Sequence, residues 1–179
     1  MSPLYVLQVL HSFMTEIRRA SSADAEAFCD IYNDHVLRTI VTFETDPVSP
    51  EAMTERIEEK LERYDWLTLE DAGKVLGYAY YGTFRARAAY DHSVETTIYL
   101  APDTLGRGLG TQLYQALIVS ARAQGYRELI GGIALPNSAS VALHEKLGFV
   151  LVGVFPRVGY KFGRYIDVGF WQLSLASAS

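Results

Sequence analysis

The sequence holds one cysteine, Cys29, so no disulfide can form within the chain. Cys29 falls in an apolar helical pattern and reads as buried filler. The 4 histidines are scattered, at positions 11, 35, 92 and 144, without the paired spacing of a zinc site, so no metal is expected. Positive charge is also short: 16 Lys and Arg stand against 21 Asp and Glu, a net charge of −5. That balance argues against a sequence-independent grip on nucleic acid and leaves only a local basic patch open. No apolar run reaches the length of a membrane span. The most apolar stretch, residues 3–13, lacks the cationic start and small-residue cleavage site of a secretory signal. The ordered pattern begins at Met14, so residues 1–13 are expected to be an extension outside the core. A soluble cytoplasmic protein with no membrane partner is the expectation. Internal repeats and low-complexity runs are missing too.

What is there is enough for one domain: 179 residues, 49% of them apolar. The organising stretch is 95–124. Glu95, Thr96, Thr97, Ile98, Tyr99 and Leu100 are mostly β-branched or aromatic and read as a strand. Residues 111–124 read as a helix, with Leu113, Leu117 and either Val119 or Ala121 on one face and Gly125 as its stop. Between them lie Gly106, Gly108 and Gly110. A strand, a glycine-rich turn and a helix start make an anion site, because bare backbone approaches closely and free N–H groups point at the ligand. The nucleoside-triphosphate loop is absent, since no GxxxxGK run occurs. The dinucleotide fingerprint fails at its third glycine, where Thr111 stands.

The rest of the chain supplies a coarse map. Residues 15–19 form a short strand, and Ser21 with Asp24 resembles a capping box. A helix follows with Phe28, Ile31, Tyr32 and His35 or Val36 inward. Ser49 and Pro50 open a second helix. Met53, Ile57, Leu61 and Tyr64 are its inward stripe, and Glu51, Glu55, Glu58, Glu59 and Lys60 face water. Strands are expected at 66–69 and 75–81, a loop at 82–92, and strands at 95–100 and 126–134 that flank the long helix as parallel neighbours. Residues 138–146 are a short helix. Strands at 149–155 and 166–175 are joined by a loop rich in glycine and aromatics. This order predicts one mixed α/β sheet with helices on both faces.

Two blocks make the pattern specific. Residues 137–149 read NSASVALHEKLGF, and Gly108 and Gly110 stand one strand and one helix upstream. This resembles the GNAT N-acetyltransferase superfamily, whose pyrophosphate loop has glycines at those places, with Leu105 standing where Gln or Arg is usual. TFRARAAYD at 83–91, VETTIY at 94–99 and GYKFGRYIDVGFWQ at 159–172 resemble the phosphinothricin and methionine sulfoximine N-acetyltransferase branch. The resemblance implies a single acetyltransferase domain over residues 14–176. Acetyl-CoA would be the co-substrate, a small amino-acid-like amine the acceptor, and a homodimer the assembly.

Residue by residue, the resemblance implies a pantetheine arm along Ile98, Tyr99 and Leu100, with Asn137 and Ser140 opposite. It places pyrophosphate on Leu105, Gly106, Arg107, Gly108, Leu109 and Gly110, and an oxyanion donor at the main chain near Leu100. Glu95 is the implied general base. A strand-end carboxylate paired with Arg87 is the plainer alternative. His144 matches the residue that protonates the leaving thiolate, or else it packs. Arg85, Arg87 and Tyr90 would clamp a substrate carboxylate or phosphinate, with Phe43 and Phe84 as an apolar wall. The alternative leaves those arginines solvated or paired with Asp91. Tyr160, Lys161 and Phe162 could complete the pocket. Two other functions stay open: an acetyltransferase for a protein N-terminus or polyamine, and a non-catalytic acyl-CoA-binding module.

Overall fold

The computed structural model describes residues 15–104 and 106–175. The expected extension over 1–13, and Leu105, lie outside those residues. The strands are β1 (Thr15–Arg19), β2 (Trp66–Asp71), β3 (Lys74–Thr83), β4 (Ser93–Leu100), β5 (Glu128–Leu135), β6 (Val150–Lys161) and β7 (Arg164–Ser174). They form one mixed sheet in the order β1-β2-β3-β4-β5-β7-β6. The helices are α1 (Ala25–Arg38), α2 (Pro50–Leu61), α3 (Leu109–Ala123) and α4 (Ser138–Lys146). No helix among the described residues is long and apolar enough to cross a membrane.

Successive strand residues point to opposite faces, and the sequence fills both with apolar groups. On one face Trp66 and Tyr78 meet α1 and α2 through Phe28, Ile31, Met53 and Ile57. Phe28 stacks on Trp66 at 5.5 Å and leans on Tyr78 at 4.3 Å. On the other face Leu69, Ala79 and Tyr81 meet Leu113, Leu117 and Ala121 of α3. Helices therefore cover both faces, as the pattern predicts. Val119, one of the two expected alternatives, is 64% exposed, so Ala121 closes the stripe.

The predicted starts hold. Ser49 Oγ accepts from the Ala52 N–H at 3.2 Å, with Pro50 first in α2. The Ser21 N–H donates to Asp24 Oδ2 at 2.9 Å, and Arg18 anchors the same carboxylate at 2.7 Å.

Other expectations need correction. Tyr64 lies past the end of α2 and packs in the α3 layer. Lys60 is half-buried, its ammonium over the Tyr80 ring at 5.7 Å, because β3 runs beneath the end of α2. The segment between residues 155 and 166, expected as a loop, is mostly strand. β6 and β7 continue to a tight turn at Phe162 and Gly163, both with positive φ. A register shift between Phe155 and Gly159 absorbs Pro156, which cannot donate to the ladder.

Candidate active site

β4 and β5 are parallel neighbours, and their ladder runs only from the Ser93/Glu128 pair to the Thr96/Gly131 pair. Beyond it each strand keeps its outer partner. β4 stays on β3 as far as Leu100, and β5 stays on β7 as far as Leu135. The facing edges at 97–100 and 132–135 therefore splay into a wedge. Alternation then orients its lip. The Ala101 N–H goes to the Leu76 carbonyl at 2.9 Å, so the Leu100 N–H turns to the open side. The Leu100 carbonyl accepts from His35 Nε2 at 3.2 Å.

A chain of hydrogen bonds pins the apex. His144 is 3% exposed, with Nδ1 lying 2.8 Å from the Ser140 carbonyl. A carbonyl only accepts, so Nδ1 carries the proton. Nε2 of the neutral ring then accepts from the Tyr114 hydroxyl at 3.0 Å. Tyr114 has used its hydrogen, so Thr96 donates across their 2.6 Å contact. Thr96 Oγ1 also lies 3.2 Å from the Ile130 carbonyl on β5. Burial pushes the His144 imidazole below its ordinary range, which the Ser140 carbonyl opposes. Burial raises the Tyr114 phenol. Gly131 makes the arrangement possible, since a Cβ there would overlap the imidazole.

The wedge opens into a cavity of about 530 Å³. Among its lining residues are Glu95, Ile98, Tyr99, Leu100, Gly106, Gly108, Leu109, Gly110, Asn137, Ser140, His144 and Phe43. The structure thus brings together most of the residues singled out from sequence. α3 begins at Leu109, two residues before expectation, because Gly108 caps it at φ +74 without a side-chain bond. The Thr111 N–H turns back to the Gly108 carbonyl at 3.1 Å, while the N–H groups at the very start of the helix face the glycine turn, so the residues fit the diphosphate of acetyl-CoA. Arg107 pairs with Asp71 at 3.7 Å. The Asn137 side chain caps α4 by accepting from the Ser140 N–H at 3.1 Å.

Glu95 lines the cavity and is exposed to it. Burial raises its carboxyl above the usual carboxylate range, while the charges of Lys60 and Arg85 pull it down. Lys60 reaches this spot because Gly82, paired with Glu95 in the ladder, leaves room for its ammonium.

The other expected acceptor residues are set apart. Phe84, Arg85, Arg87 and Tyr90 line a second cavity of about 500 Å³. The Arg85 guanidinium lies over the Phe84 ring at 5.2 Å. Asp91 pairs with Arg63 at 3.1 Å. Tyr160 and Phe162 are exposed, and Lys161 is buried; none of the three lines either cavity. Sequence reasoning missed Tyr114 and Thr96, and left His35 without a role. Only Tyr114 carried a signal: a phenol on an apolar helix stripe needs a buried partner. Among the described residues no group of three or more His, Cys, Asp or Glu is gathered as for a metal.

Comparison with known proteins places this geometry. The family model for the acetyltransferase (GNAT) domain matches residues 17–169. Phosphinothricin N-acetyltransferase of Streptomyces viridochromogenes is 44% identical over 157 residues, covering 88% of this chain and 86% of that protein. The L-methionine sulfoximine/L-methionine sulfone acetyltransferase of Pseudomonas aeruginosa is 42% identical, over 89% of this chain and 94% of that one. A crystal structure of a GNAT phosphinothricin acetyltransferase from Sinorhizobium meliloti, in complex with acetyl-CoA, superposes with a TM-score of 0.87 at 36% identity. That match covers 90% of this chain and 89% of the other. The wedge, the glycine turn and these matches agree: the chain belongs to the GNAT family of acetyl-CoA-dependent N-acetyltransferases.

Proposed function

We propose that the protein transfers acetyl from acetyl-CoA directly to the amine of a small amino-acid-like acceptor of the phosphinothricin or methionine sulfoximine type, with Glu95 as general base. The carrying observation is the place of Glu95, in the cavity one residue before the apex of the wedge, with burial raising its proton affinity. Acetyl transfer needs a neutral amine, and a carboxylate of raised pKa takes the ammonium proton more readily, directly or through water. The wedge edges hold the pantetheine arm, and the first turn of α3 holds the diphosphate. The Leu100 N–H, facing the open side, stabilises the oxygen of the tetrahedral adduct. Arg85 and Arg87 offer guanidinium forks to the acceptor's carboxylate or phosphinate.

His144 handles the proton of the leaving thiolate. Its chain has room for one more proton. With Nε2 protonated, Tyr114 turns to donate to Thr96, and Thr96 to the Ile130 carbonyl. Glu95 passes the amine's proton to water, and a proton taken up from solvent on Nε2 is the one the departing thiolate receives, which returns the ring to its neutral state. A His144→Phe variant with the wild-type pH–rate profile would leave packing as its role.

The same proposal includes a homodimer. β6 is an edge strand with Val150, Val152, Phe155 and Val158 all more than half exposed. An apolar edge of that length asks for a partner strand or face. Thiol release from acetyl-CoA tests the whole reading with methionine sulfoximine, phosphinothricin, common amino acids, a short peptide and spermidine. The first two should be turned over best. Release with peptide or spermidine alone would replace this acceptor class, and binding without any release would leave an acyl-CoA-binding module.

A further inference from the structure

The β6–β7 hairpin bends at its bulge, where Arg157 has φ +58 and its N–H donates to Asp167 Oδ1 at 2.7 Å. Beyond the bend, Gly159 and Lys161 meet the connection between α1 and α2. Lys161 is 3% exposed, and its Nζ donates to the Thr42 carbonyl at 2.8 Å. Burying an ammonium is costly without such a bond, so this contact is directional and not mere filling. The Phe43 ring lies against Gly159, where a Cβ would overlap it. From the α1 side the Tyr32 hydroxyl shares a hydrogen bond with Thr42 Oγ1 at 2.7 Å. The loop is gripped from behind while Val41, Thr42 and Phe43 face the cavity.

We propose that Lys161 and Gly159, which do not line the cavity, set acceptor selectivity by clamping the Phe43 wall in place. This rests on the acceptor reading above, and it adds where the size limit of that acceptor comes from. A fixed wall admits a short polar side chain and refuses a bulky one. Releasing it should blur the distinction and leave the strand edges and glycine turn that take acetyl-CoA undisturbed. Met in place of Lys161 keeps the length and removes the donor. Ala in place of Gly159 pushes the Phe43 ring.

Two readouts test the clamp. Amide hydrogen exchange needs no acceptor. In Lys161→Met the Glu44 N–H, bonded to Thr42 Oγ1 at 3.3 Å, should exchange about tenfold faster. Steady-state kinetics should show the preference in kcat/KM for methionine sulfoximine over phenylalanine falling about tenfold in both variants, with acetyl-CoA affinity within about twofold. Unchanged exchange and unchanged preference in Lys161→Met would overturn the clamp, whether or not Gly159→Ala folds. Faster exchange in Lys161→Met, with a wild type that acetylates no amino-acid-like amine, would support the clamp and overturn the acceptor reading.

Discussion

The proposed donor side of the site, between β4 and β5, offers unpaired strand edges and the glycine turn before α3. The proposed acceptor side draws on the wall at 41–43 of the wedge cavity and on the separate cavity of Phe84, Arg85, Arg87 and Tyr90. The donor side is made where a ladder stops, and a buried chain from His144 to Ile130 fixes that point. The acceptor side depends on an exposed loop, with Arg85 and Arg87 both open to solvent, and on a wall held by a distant hairpin. Main-chain recognition suits a co-substrate that never changes, because no side-chain substitution removes an N–H other than one to proline. Side-chain recognition suits an acceptor that differs between relatives, as their names do here.

The sharpest way to separate the two sides is Glu95→Gln. Turnover should fall by about 10²–10⁴, while acetyl-CoA affinity stays within about twofold. Equal loss in both would mean that Glu95 shapes the donor wedge. Next is Gly131→Ala, which forces a methyl group into the His144 ring. It should cost about 1–3 kcal/mol of stability, read as a lower midpoint in urea. An unchanged midpoint would show that the apex is not pinned as described. Gly108→Val must adopt φ +74, which costs about 1–2 kcal/mol. It should weaken acetyl-CoA by about tenfold and leave acceptor KM alone, measured by calorimetry and kinetics. The smallest effect is a shift in the pH profile. In the proposed role Glu95 acts when deprotonated, so the rate should rise with pH through its raised pKa. Arg85 lowers that pKa, so Arg85→Ala should move the acid limb to higher pH. Movement to lower pH would contradict the proposed field.

The same contrast explains what the sequence revealed. A glycine turn between a strand and a helix is a backbone demand, so Gly106, Gly108 and Gly110 were legible as a unit, and so was the parallel pairing of the flanking strands. The start of α3 was misjudged because nothing in sequence says that Gly108 caps without a side chain. The β6–β7 hairpin was cut short because the glycine- and aromatic-rich segment read as a loop, while a bulge carries the strand through. Lys60 read as solvated because its partners Tyr80 and Gly82 lie on another element. His35 and Tyr114 owe their places to β4, some 65 and 18 residues away in sequence. No local pattern encodes such contacts.

The central claim is that acetyl-CoA lies in the β4–β5 wedge with its diphosphate on the first turn of α3. Amide hydrogen exchange, followed residue by residue with and without acetyl-CoA, tests it directly. The account predicts protection at residues 98–101 and 106–111, and none at 83–92. Protection confined to 83–92, or none in the wedge at saturating acetyl-CoA, would contradict it.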